Sequence, residues 1–380
     1  MKLLLSILII ALRACQQNIK NNQSASSKSC TSDSLLSKVD SYLNSYVDSG
    51  FAGVALIADK NGIIFHKAYN GKGDNIDTST AFGIASSAKC LTSTAIMQLH
   101  ERGKLSINDL ITKYFDNVPS DKKSITIRYL LTHTSGLDEC NCIDGETEPL
   151  KLINGILHSQ IAGSIGGKWL YRNENYYLLD YIIEKVSKMS YRNYVQQNIL
   201  NAAEMHHTGQ SAQEKEKSVI LAAIELDSLK KQPVYAKSYV NGALKTNLAS
   251  HKVGAYFSTS NDMYKWALAV RNNKLISDST LVLSLQPQTS GLIRDKDTAL
   301  YYGYGWVFTT VKGKRINFFM AGREDWMWNN RAYILENGFT IIVWSRDKKG
   351  PDSDAMATVL TKELVKIFEK NKLNYKVRKC

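Results

Sequence analysis

Two side chains that could carry out nucleophilic chemistry lie three residues apart, Ser86 with a hydroxyl and Lys89 with an amine. From Ala88 to Gly103 apolar residues recur at helical spacing, so the sequence predicts a helix that begins close to Ser86. Residues i and i+3 share a helix face, so the amine can reach the hydroxyl and take its proton. The positive end of the helix dipole would also favour a negatively charged oxygen there. The pair therefore predicts a serine nucleophile with a lysine base.

The Ser-x-x-Lys spacing is weak evidence by itself. It also occurs at Ser120, Ser228 and Ser345, where no neighbouring pattern indicates a site. Ser86 differs because an apolar stretch precedes it and a strongly periodic helix follows it. The alternative interpretation is that Ser86 only caps the helix and that Lys89 is a solvated charge.

A tyrosine and an asparagine form a second candidate pair, Tyr171 and Asn173, in a loop that enters an apolar helix. A phenolate held near a lysine ammonium can act as a base, and an asparagine amide can hold a substrate carbonyl. The same Tyr-x-Asn spacing also begins at Tyr42, Tyr191 and Tyr239. Position in the chain is therefore what makes Tyr171 and Asn173 the candidates.

The elements that must position these residues are hairpins at both ends of the chain with helices between them. Strands are predicted at 53–58 and 63–69, joined through Asn61-Gly62, which favours a tight hairpin turn. Further strands are predicted at 301–310, 315–320, 331–335 and 339–344, and helices at 35–47, 125–131, 176–188, 191–200, 261–270 and 353–370. This order predicts an α/β fold (α+β type) in which one antiparallel sheet uses both ends of the chain. We expect a domain at 34–380 with an inserted helical lobe at about 90–250, and a site in the cleft between lobe and sheet.

The N-terminal residues have the composition of an export signal. One positive charge precedes an apolar run at 3–12, which is too short for a mature membrane-spanning helix. Residues 12–15, Leu-Arg-Ala-Cys, resemble the bacterial lipoprotein processing box, although the arginine replaces the usual small or apolar residue. We therefore expect a signal peptide at 1–15 and a flexible polar tether at 16–33. Export would lead to the membrane through a lipid on Cys15 or, after ordinary cleavage, to the periplasm as a soluble protein.

Charge and cysteine usage argue against several other classes of protein. The formal net charge is +13 over 380 residues, but no basic stripe interleaved with aromatic residues indicates nucleic-acid binding. Six cysteines are present, and if Cys15 is lipidated the remaining odd number argues against a full disulfide framework. Cys140-x-Cys142 near His133 fits no common zinc spacing, so we expect no metal and no cofactor. The sequence 133–136, His-Thr-Ser-Gly, is instead typical of a turn that ends a helix.

Together with the two pairs above, an ordered series of motifs resembles the serine β-lactamase and penicillin-binding-protein superfamily, in particular its class C β-lactamase-like serine hydrolases. The series comprises Ser86-x-x-Lys89, 105–109, 126–137, Tyr171-x-Asn173, 204–208, 258–262 and 302–306. Ser-x-x-Lys with two later motifs is the signature of the superfamily. The resemblance implies the β-lactamase/transpeptidase-like fold, with Ser86 as the acylated nucleophile and Lys89 as its proton partner. It also implies that Tyr171 is the general base and that Asn173 binds the substrate amide.

The third motif of the family, His-x-Gly or Lys-Ser/Thr-Gly on an edge strand, is altered in this chain. Its place is taken by Met320-Ala321-Gly322-Arg323, so the basic and hydroxyl side chains are missing. Gly322 still permits close backbone approach, and the Arg323 N–H could complete an oxyanion hole with that of Ser86. We therefore expect Ala321, Gly322 and Arg323 to line the substrate site. The residues that follow either shape the rim of the site or serve packing: Trp326, Trp328, Asn329 and Asn330.

The sequence thus supports two hypotheses about function. The first is an exported serine hydrolase that forms an acyl-enzyme on Ser86 and cleaves an ester or a peptide-like amide, as an esterase, a D-amino-acid peptidase or a weak β-lactamase. The second is a non-catalytic relative that binds peptidoglycan fragments or β-lactams, or that serves only as a scaffold. The intact first two motifs favour the enzyme, and the altered third motif favours the alternative. The expected partner is a small-molecule or peptide-like substrate.

Overall fold

The computed structural model describes residues 34–71, 75–140, 148–210, 239–240, 243–244, 256–289, 292–293, 296–324, 328–346 and 356–370. The predicted signal peptide at 1–15, the tether at 16–33 and Cys15 lie outside these residues. The chain divides into two units between Gly50 and Phe51. The described part of the first unit is a helix, α1, at 34–44, followed by turns up to Gly50. The second unit contains the sheet, the remaining helices and every candidate site residue.

The hairpin predicted from Asn61-Gly62 is confirmed. Strand β1, Gly53–Asp59, is buried along its whole length and pairs antiparallel with β2, Gly62–Tyr69. A 2.7 Å hydrogen bond from the Asn61 N–H to Asp59 Oδ1 closes the turn, and Gly62 has a φ of +141°, which residues with a Cβ rarely adopt. The turn residues therefore set how the two strands pair.

Strands from both ends of the second unit build one large antiparallel sheet. The remaining strands are β3 Phe82–Gly83, β4 Gly209–Gln210, β5 Tyr239–Val240, β6 Ala243–Leu244, β7 Tyr256–Ser258, β8 Leu292–Ile293, β9 Thr298–Tyr302, β10 Val307–Val311, β11 Lys314–Glu324, β12 Trp328–Leu335 and β13 Thr340–Arg346. The large sheet has the order β2-β1-β13-β12-β11-β10-β9-β8, and two smaller sheets have the orders β3-β7-β4 and β5-β6. Gly53 of β1 pairs with Ser345 of β13. The predicted sheet from both ends of the chain is therefore confirmed.

The predicted helices are present with bounds that differ by a few residues, and two further helices, α4 and α8 below, were not indicated by the sequence pattern. In chain order they are α2 Lys89–Glu101, α3 Ile127–Leu131, α4 Pro149–His158, α5 Glu174–Ser187, α6 Tyr191–Val195, α7 Ser260–Arg271, α8 Asp278–Ser284 and α9 Met356–Lys370. A π-helical turn, Gln196–Leu200, continues α6. The predicted end of α2 is confirmed, because Gly103 has a φ of +65° and the Lys104 N–H donates to the Leu99 carbonyl at 2.9 Å. None of the helices in the described residues combines the length and apolar character needed to cross a membrane.

The run 301–310, predicted as a single strand, is two strands in the structure. Strand β9 ends at Tyr302 and β10 begins at Val307, with a tight turn between them in which Gly305 has a φ of +80°. A Cβ on Gly305 would also lie 2.3 Å from the Ser93 side chain of α2. The prediction was wrong because Tyr301, Tyr302 and Tyr304 have high strand propensity, whereas Gly303 and Gly305, on either side of Tyr304, have low strand propensity and form the turn.

Helix α2 is the support of the candidate site, because it is buried on all sides. Its residues from Lys89 to Leu99 are all buried, and it packs against α5 and α6. The division of the second unit into a sheet and an inserted lobe at 90–250 stays a prediction, since residues 211–238 of that stretch lie outside the described ones.

Candidate active site

Ser86 lies in a turn of 3-10 helix, Ala85–Ala88, that joins β3 to the start of α2. Ala85 has a φ of +43°, a left-handed conformation that non-glycine residues adopt rarely and that is often found next to functional residues. Neither this turn nor α2 has a side-chain cap hydrogen bond. The interpretation of Ser86 as a helix cap is therefore wrong, and its hydroxyl is available for other contacts.

The hydroxyl of Ser86 contacts two of the other predicted residues. Its Oγ lies 2.6 Å from the Tyr171 hydroxyl oxygen, and either group can be the donor. The Lys89 Nζ donates to Ser86 Oγ at 3.2 Å and to Asn173 Oδ1 at 2.8 Å. The structure thus brings Ser86, Lys89, Tyr171 and Asn173 into one connected hydrogen-bond group.

Lys89 is a buried cation that aromatic rings and polar oxygens surround. The residue is 3% exposed, so its interpretation as a solvated charge is wrong. Its Nζ lies 4.9 Å from the ring centroid of Tyr171 and 5.6 Å from that of Tyr176. Within the described residues, no carboxylate forms an ion pair with it. A cation in this position stabilises negative charge on either oxygen of the Ser86–Tyr171 pair.

Tyr171 and Asn173 come from the loop that leads into α5, as the sequence predicts. Asn173 is the residue directly before α5, and its side chain makes no capping hydrogen bond, so its amide oxygen is used by Lys89 instead. The ring of Trp169 lies 6.0 Å from that of Tyr171 and 6.0 Å from that of Tyr302. Trp169 is 47% exposed, so it forms a partly open aromatic side of the candidate site.

Strands β11 and β12 hold the turn that carries Ser86. Gly322 pairs with Asn330, and a Cβ on Gly322 would lie 2.1 Å from the Ile84 carbonyl oxygen. Asn330 Nδ2 donates to that same carbonyl at 3.1 Å, while Asn330 Oδ1 accepts a hydrogen bond from the Ser87 hydroxyl. Gly322 therefore does allow close backbone approach, and its neighbour in the approach is the turn of the nucleophile candidate.

The two residues beside Gly322 project from the other face of the sheet. Side chains alternate along a strand, and Arg323 pairs with Asn329, whose Oδ1 accepts a hydrogen bond from Thr358 of α9. Ala321 pairs with Arg331 on that same face. Burial lowers the pKa of Arg331, and the nearby charge of Arg323 lowers it further, which is consistent with this placement. A substrate contact of Ala321 or Arg323 thus depends on backbone atoms, and their substrate role stays a prediction.

The other residues of the third motif region are buried where the structure describes their side chains. Met320 lies on the face of Gly322, is 2% exposed and offers no polar group. Asn329 and Asn330 are 0% and 1% exposed, so their interpretation as the rim of the site is wrong. Trp326 and the side chain of Trp328 lie outside the described part of the chain.

Two contacts of the candidate site were not predicted, those of Asn330 and of His133. The turn predicted at 133–136 is confirmed, since α3 ends at Leu131 and both His133 and Gly136 have positive φ. The His133 imidazole is fully buried, and its ring centroid lies 4.4 Å from that of the Tyr171 ring. Both contacts join residues far apart in sequence, which local periodicity does not report.

The cysteines do not form a metal site in the described residues. Cys140 is disulfide-bonded, and Cys142 lies outside the described chain. Cys90 is a free, buried thiol. Across the described ranges, no group of three His, Cys, Asp or Glu side chains is arranged to hold a metal ion.

Comparison with known proteins gives matches over most of the chain. A family model described as Beta-lactamase matches residues 39–366. A curated protein, "Putative penicillin-binding protein PbpX" of Bacillus subtilis (strain 168), is 31% identical over 264 residues, which are 67% of this chain and 62% of that protein. The chain therefore spans less than two thirds of the length of this relative.

Solved structures match with similar coverage. A penicillin-binding protein from Bacillus halodurans is 25% identical, with a TM-score of 0.67, over 85% of this chain and 98% of that one. The D-amino acid amidase from Ochrobactrum anthropi SV3, complexed with D-phenylalanine, is 16% identical, with a TM-score of 0.70, over 89% of this chain and 99% of that one. At 16% identity, the similarity to the amidase shows the fold alone. Together they confirm the expected β-lactamase/transpeptidase-like fold.

Proposed function

The chain belongs to the beta-lactamase family, and on that premise we propose that it is an exported serine hydrolase that cleaves an ester or a peptide-like amide through an acyl-enzyme on Ser86. The observation that carries this proposal is the 2.6 Å contact between Ser86 Oγ and the Tyr171 hydroxyl, with the Lys89 ammonium donating to the same Oγ. A nucleophile needs a group that takes its proton and a charge that stabilises the resulting anion. These three side chains supply both.

In the proposed reaction, Tyr171 acts as a phenolate beside the Lys89 ammonium and takes the proton of Ser86, becoming a neutral phenol, while Oγ forms a bond to the substrate carbonyl carbon. The carbonyl oxygen becomes an oxyanion, for which the backbone N–H groups of Ser86 and Arg323 are the proposed donors. The carbon–leaving-group bond then breaks, and Tyr171 returns the proton to the leaving alkoxide or amine. In the second half of the reaction, Tyr171 takes a proton from water as the water oxygen bonds to the acyl carbon. The bond from that carbon to Ser86 Oγ then breaks, and Tyr171 returns the proton to Oγ. Asn173, already hydrogen-bonded to Lys89, is the proposed ligand of the substrate amide.

A fluorophosphonate probe tests the nucleophile directly. We expect labelling of the wild-type protein at Ser86, and no labelling and no ester turnover in Ser86→Ala. The matched control is Ser93→Ala, which removes a buried hydroxyl of α2 that donates to the Cys90 carbonyl of its own helix. Labelling that persists in Ser86→Ala would exclude Ser86 as the nucleophile. An unlabelled wild-type protein would instead favour the second candidate, a non-catalytic protein that binds peptidoglycan fragments or β-lactams.

Substrates without a carboxylate beside the scissile bond suit this site best. Met320 and Ala321 replace the polar third motif, and the Arg323 side chain lies on the other face of the sheet, so nothing in the described third motif would pair with a carboxylate there. Burying an unpaired carboxylate costs several kcal/mol, which corresponds to at least about 100-fold in kcat/KM. We therefore propose short neutral acyl esters as better substrates than penicillins or cephalosporins.

The preference is tested by comparing kcat/KM for a neutral ester and for a chromogenic cephalosporin. We expect the ester to be the better substrate, and Arg323→Ala to leave both values within about twofold of wild type, because its guanidinium lies away from Ser86. Efficient cephalosporin hydrolysis that disappears in Arg323→Ala would show that this arginine binds the carboxylate. The proposed preference would then be wrong.

A further inference from the structure

His133 holds the loop that carries Tyr171 on both sides of that residue. Its carbonyl oxygen accepts a hydrogen bond from the Leu170 N–H at 2.8 Å. Its Nδ1 accepts one from the Arg172 N–H at 3.2 Å. The residues directly before and directly after Tyr171 are therefore tied to a single fully buried residue. His133 itself has a φ of +55°, so its own conformation is fixed by the turn that follows α3.

The imidazole also packs against the Tyr171 ring. The two ring centroids are 4.4 Å apart, and the planes are tilted by 35°. Tyr176 lies 5.1 Å away on a similar tilt, and Tyr302 meets the imidazole edge-on at 5.1 Å. The imidazole is thus packed among three aromatic rings, one of which is that of Tyr171.

The hydrogen bonds define the protonation state of His133. A backbone N–H can only donate, so the Nδ1 that accepts from Arg172 carries no proton. Asn175 Nδ2 also lies 3.1 Å from this nitrogen, and Asn175 Oδ1 accepts a hydrogen bond from the Ser135 hydroxyl at 2.6 Å. Burial lowers the pKa of His133 well below its usual value, and the charge of Lys89 lowers it further. The acceptor that holds the Arg172 N–H is therefore present at ordinary pH.

We propose that His133 is the positioning residue of Tyr171. It keeps the Tyr171 hydroxyl oxygen within proton-transfer distance of Ser86 Oγ. The inference rests on the proposed function, in which Tyr171 takes the Ser86 proton. His133 neither touches substrate nor exchanges a proton with it. Its effect is geometric, because a displacement of about 1 Å at a reacting group can cost on the order of 100-fold in rate.

Two substitutions separate the ring from the acceptor. His133→Phe keeps an aromatic ring beside Tyr171 but leaves the Arg172 N–H unpaired in a buried position. His133→Asn loses the ring but keeps an oxygen near the place of Nδ1, and asparagine tolerates positive φ better than most residues. The matched control is Thr134→Val, in the same turn, because within the described residues the Thr134 hydroxyl has one hydrogen-bond partner, the Thr132 hydroxyl.

We expect the kcat for a neutral ester to fall about 100-fold in His133→Phe and about tenfold in His133→Asn, with KM within about threefold of wild type in both. Thr134→Val should keep the kcat of wild type. Hydrogen exchange of the Arg172 amide should be at least about tenfold faster in His133→Phe, but not in His133→Asn or Thr134→Val. A folded His133→Phe protein with the wild-type kcat and a protected Arg172 amide would overturn the inference.

The experiment still gives a clear result if His133→Phe does not fold or if the wild-type protein shows no Ser86-dependent turnover. If His133→Phe does not fold, a His133→Asn protein with wild-type kcat overturns the inference, and one with a reduced kcat at unchanged KM supports it. If the wild-type protein shows no turnover that depends on Ser86, the proposed function fails, whereas the exchange of the Arg172 amide still tests whether His133 holds the loop. Unchanged exchange in both His133 variants would then overturn the inference by itself.

Discussion

Lys89 shows how a single residue links the parts of the site. It is a buried cation with hydrogen bonds to Ser86 and Asn173 and with the rings of Tyr171 and Tyr176 beside it. A buried charge is costly unless dipoles or opposite charges compensate it. Here the compensation comes from oxygens and ring faces, which leaves the ammonium able to stabilise an anion that forms during a reaction.

Removal of Lys89 and of the Tyr171 hydroxyl should not have independent effects. Lys89→Ala and Tyr171→Phe should each slow fluorophosphonate labelling about 100-fold or more, because both act on the proton of Ser86. The double variant should be about as slow as the slower single variant, as expected for groups that act as a unit. The labelling rates of the wild-type protein, the two single variants and the double variant measure whether the two effects are independent. A double variant whose loss equals the product of the single losses would indicate separate roles.

Cys90 is next to Lys89 in sequence but should be chemically inert. Burial raises the pKa of its thiol to about 12, although the charge of Lys89 acts in the opposite direction. The reactive form of a cysteine is the thiolate, which is then scarce at neutral pH. We expect iodoacetamide to leave Cys90 unmodified in the native protein and to modify it after denaturation, as followed by mass spectrometry. Native alkylation at the rate of a free thiol would contradict the burial of this residue.

At the scale of elements, the nucleophile turn is held from two directions. Helix α2 fixes its C-terminal side, and the pair Gly322 and Asn330 on β11 and β12 fixes the Ile84 carbonyl at its start. The position of Ser86 therefore depends on the sheet as well as on its own helix. A substitution in β12 should therefore alter the reactivity of Ser86, although the substituted residue does not contact the Ser86 side chain.

Asn330→Ala and Asn329→Ala provide that test on adjacent residues of one strand. Both side chains are buried, and each substitution should lower the free energy of unfolding by about 1–3 kcal/mol, because hydrogen-bond partners are left unpaired. Only Asn330→Ala should also slow labelling of Ser86, since Asn329 faces α9. Urea unfolding and labelling rates of the two proteins measure both effects. Equal labelling rates in the two variants would mean that the Asn330 contact does not set the reactivity of Ser86.

The elements could be predicted from the sequence where their signals are local. The Asn61-Gly62 hairpin and the end of α2 at Gly103 follow from turn and cap chemistry, and the structure has both. The split of 301–310 was missed because strand propensity in the tyrosines outweighed the glycine signal. A further difference is the 3-10 turn Ala85–Ala88, since apolar spacing does not distinguish a 3-10 turn from the first turn of an α-helix.

At the scale of the whole molecule, the site is made by segments that are distant in sequence. Ser86 and Lys89 meet Tyr171 and Asn173, which the ordered motifs predicted as candidates. No local pattern could show that Asn330 reaches the Ile84 carbonyl or that His133 packs on Tyr171, because these contacts depend on how the sheet and helices pack. Residue types and their order in the chain thus predicted the candidate catalytic residues. The residues that position them, Asn330 and His133, could be identified only from the structure.

The proposed export of the protein can be tested on the full chain. If the segment 12–15 is processed as a lipoprotein box, Cys15→Ser should release the protein from the membrane fraction of a bacterial host, because a lipid would be its only stable anchor. Fractionation followed by immunoblotting compares the two proteins, with Cys90→Ser as a cysteine control. A wild-type protein that is already soluble in the periplasm would show that ordinary signal cleavage occurs.

The partly open aromatic side of the site gives the protein a built-in optical reporter. Trp169 is 47% exposed, whereas Trp266, Trp306 and Trp344 are at most 1% exposed. Among the tryptophans whose side chains the structure describes, an aqueous quencher such as acrylamide should therefore reach Trp169 first. A molecule bound beside Tyr171, whose ring is 6.0 Å from the indole, should shield this emission. Fluorescence quenching could thus follow occupation of the site by any compound, including compounds that are never turned over, and Trp169→Phe should remove the part of the response that comes from this residue.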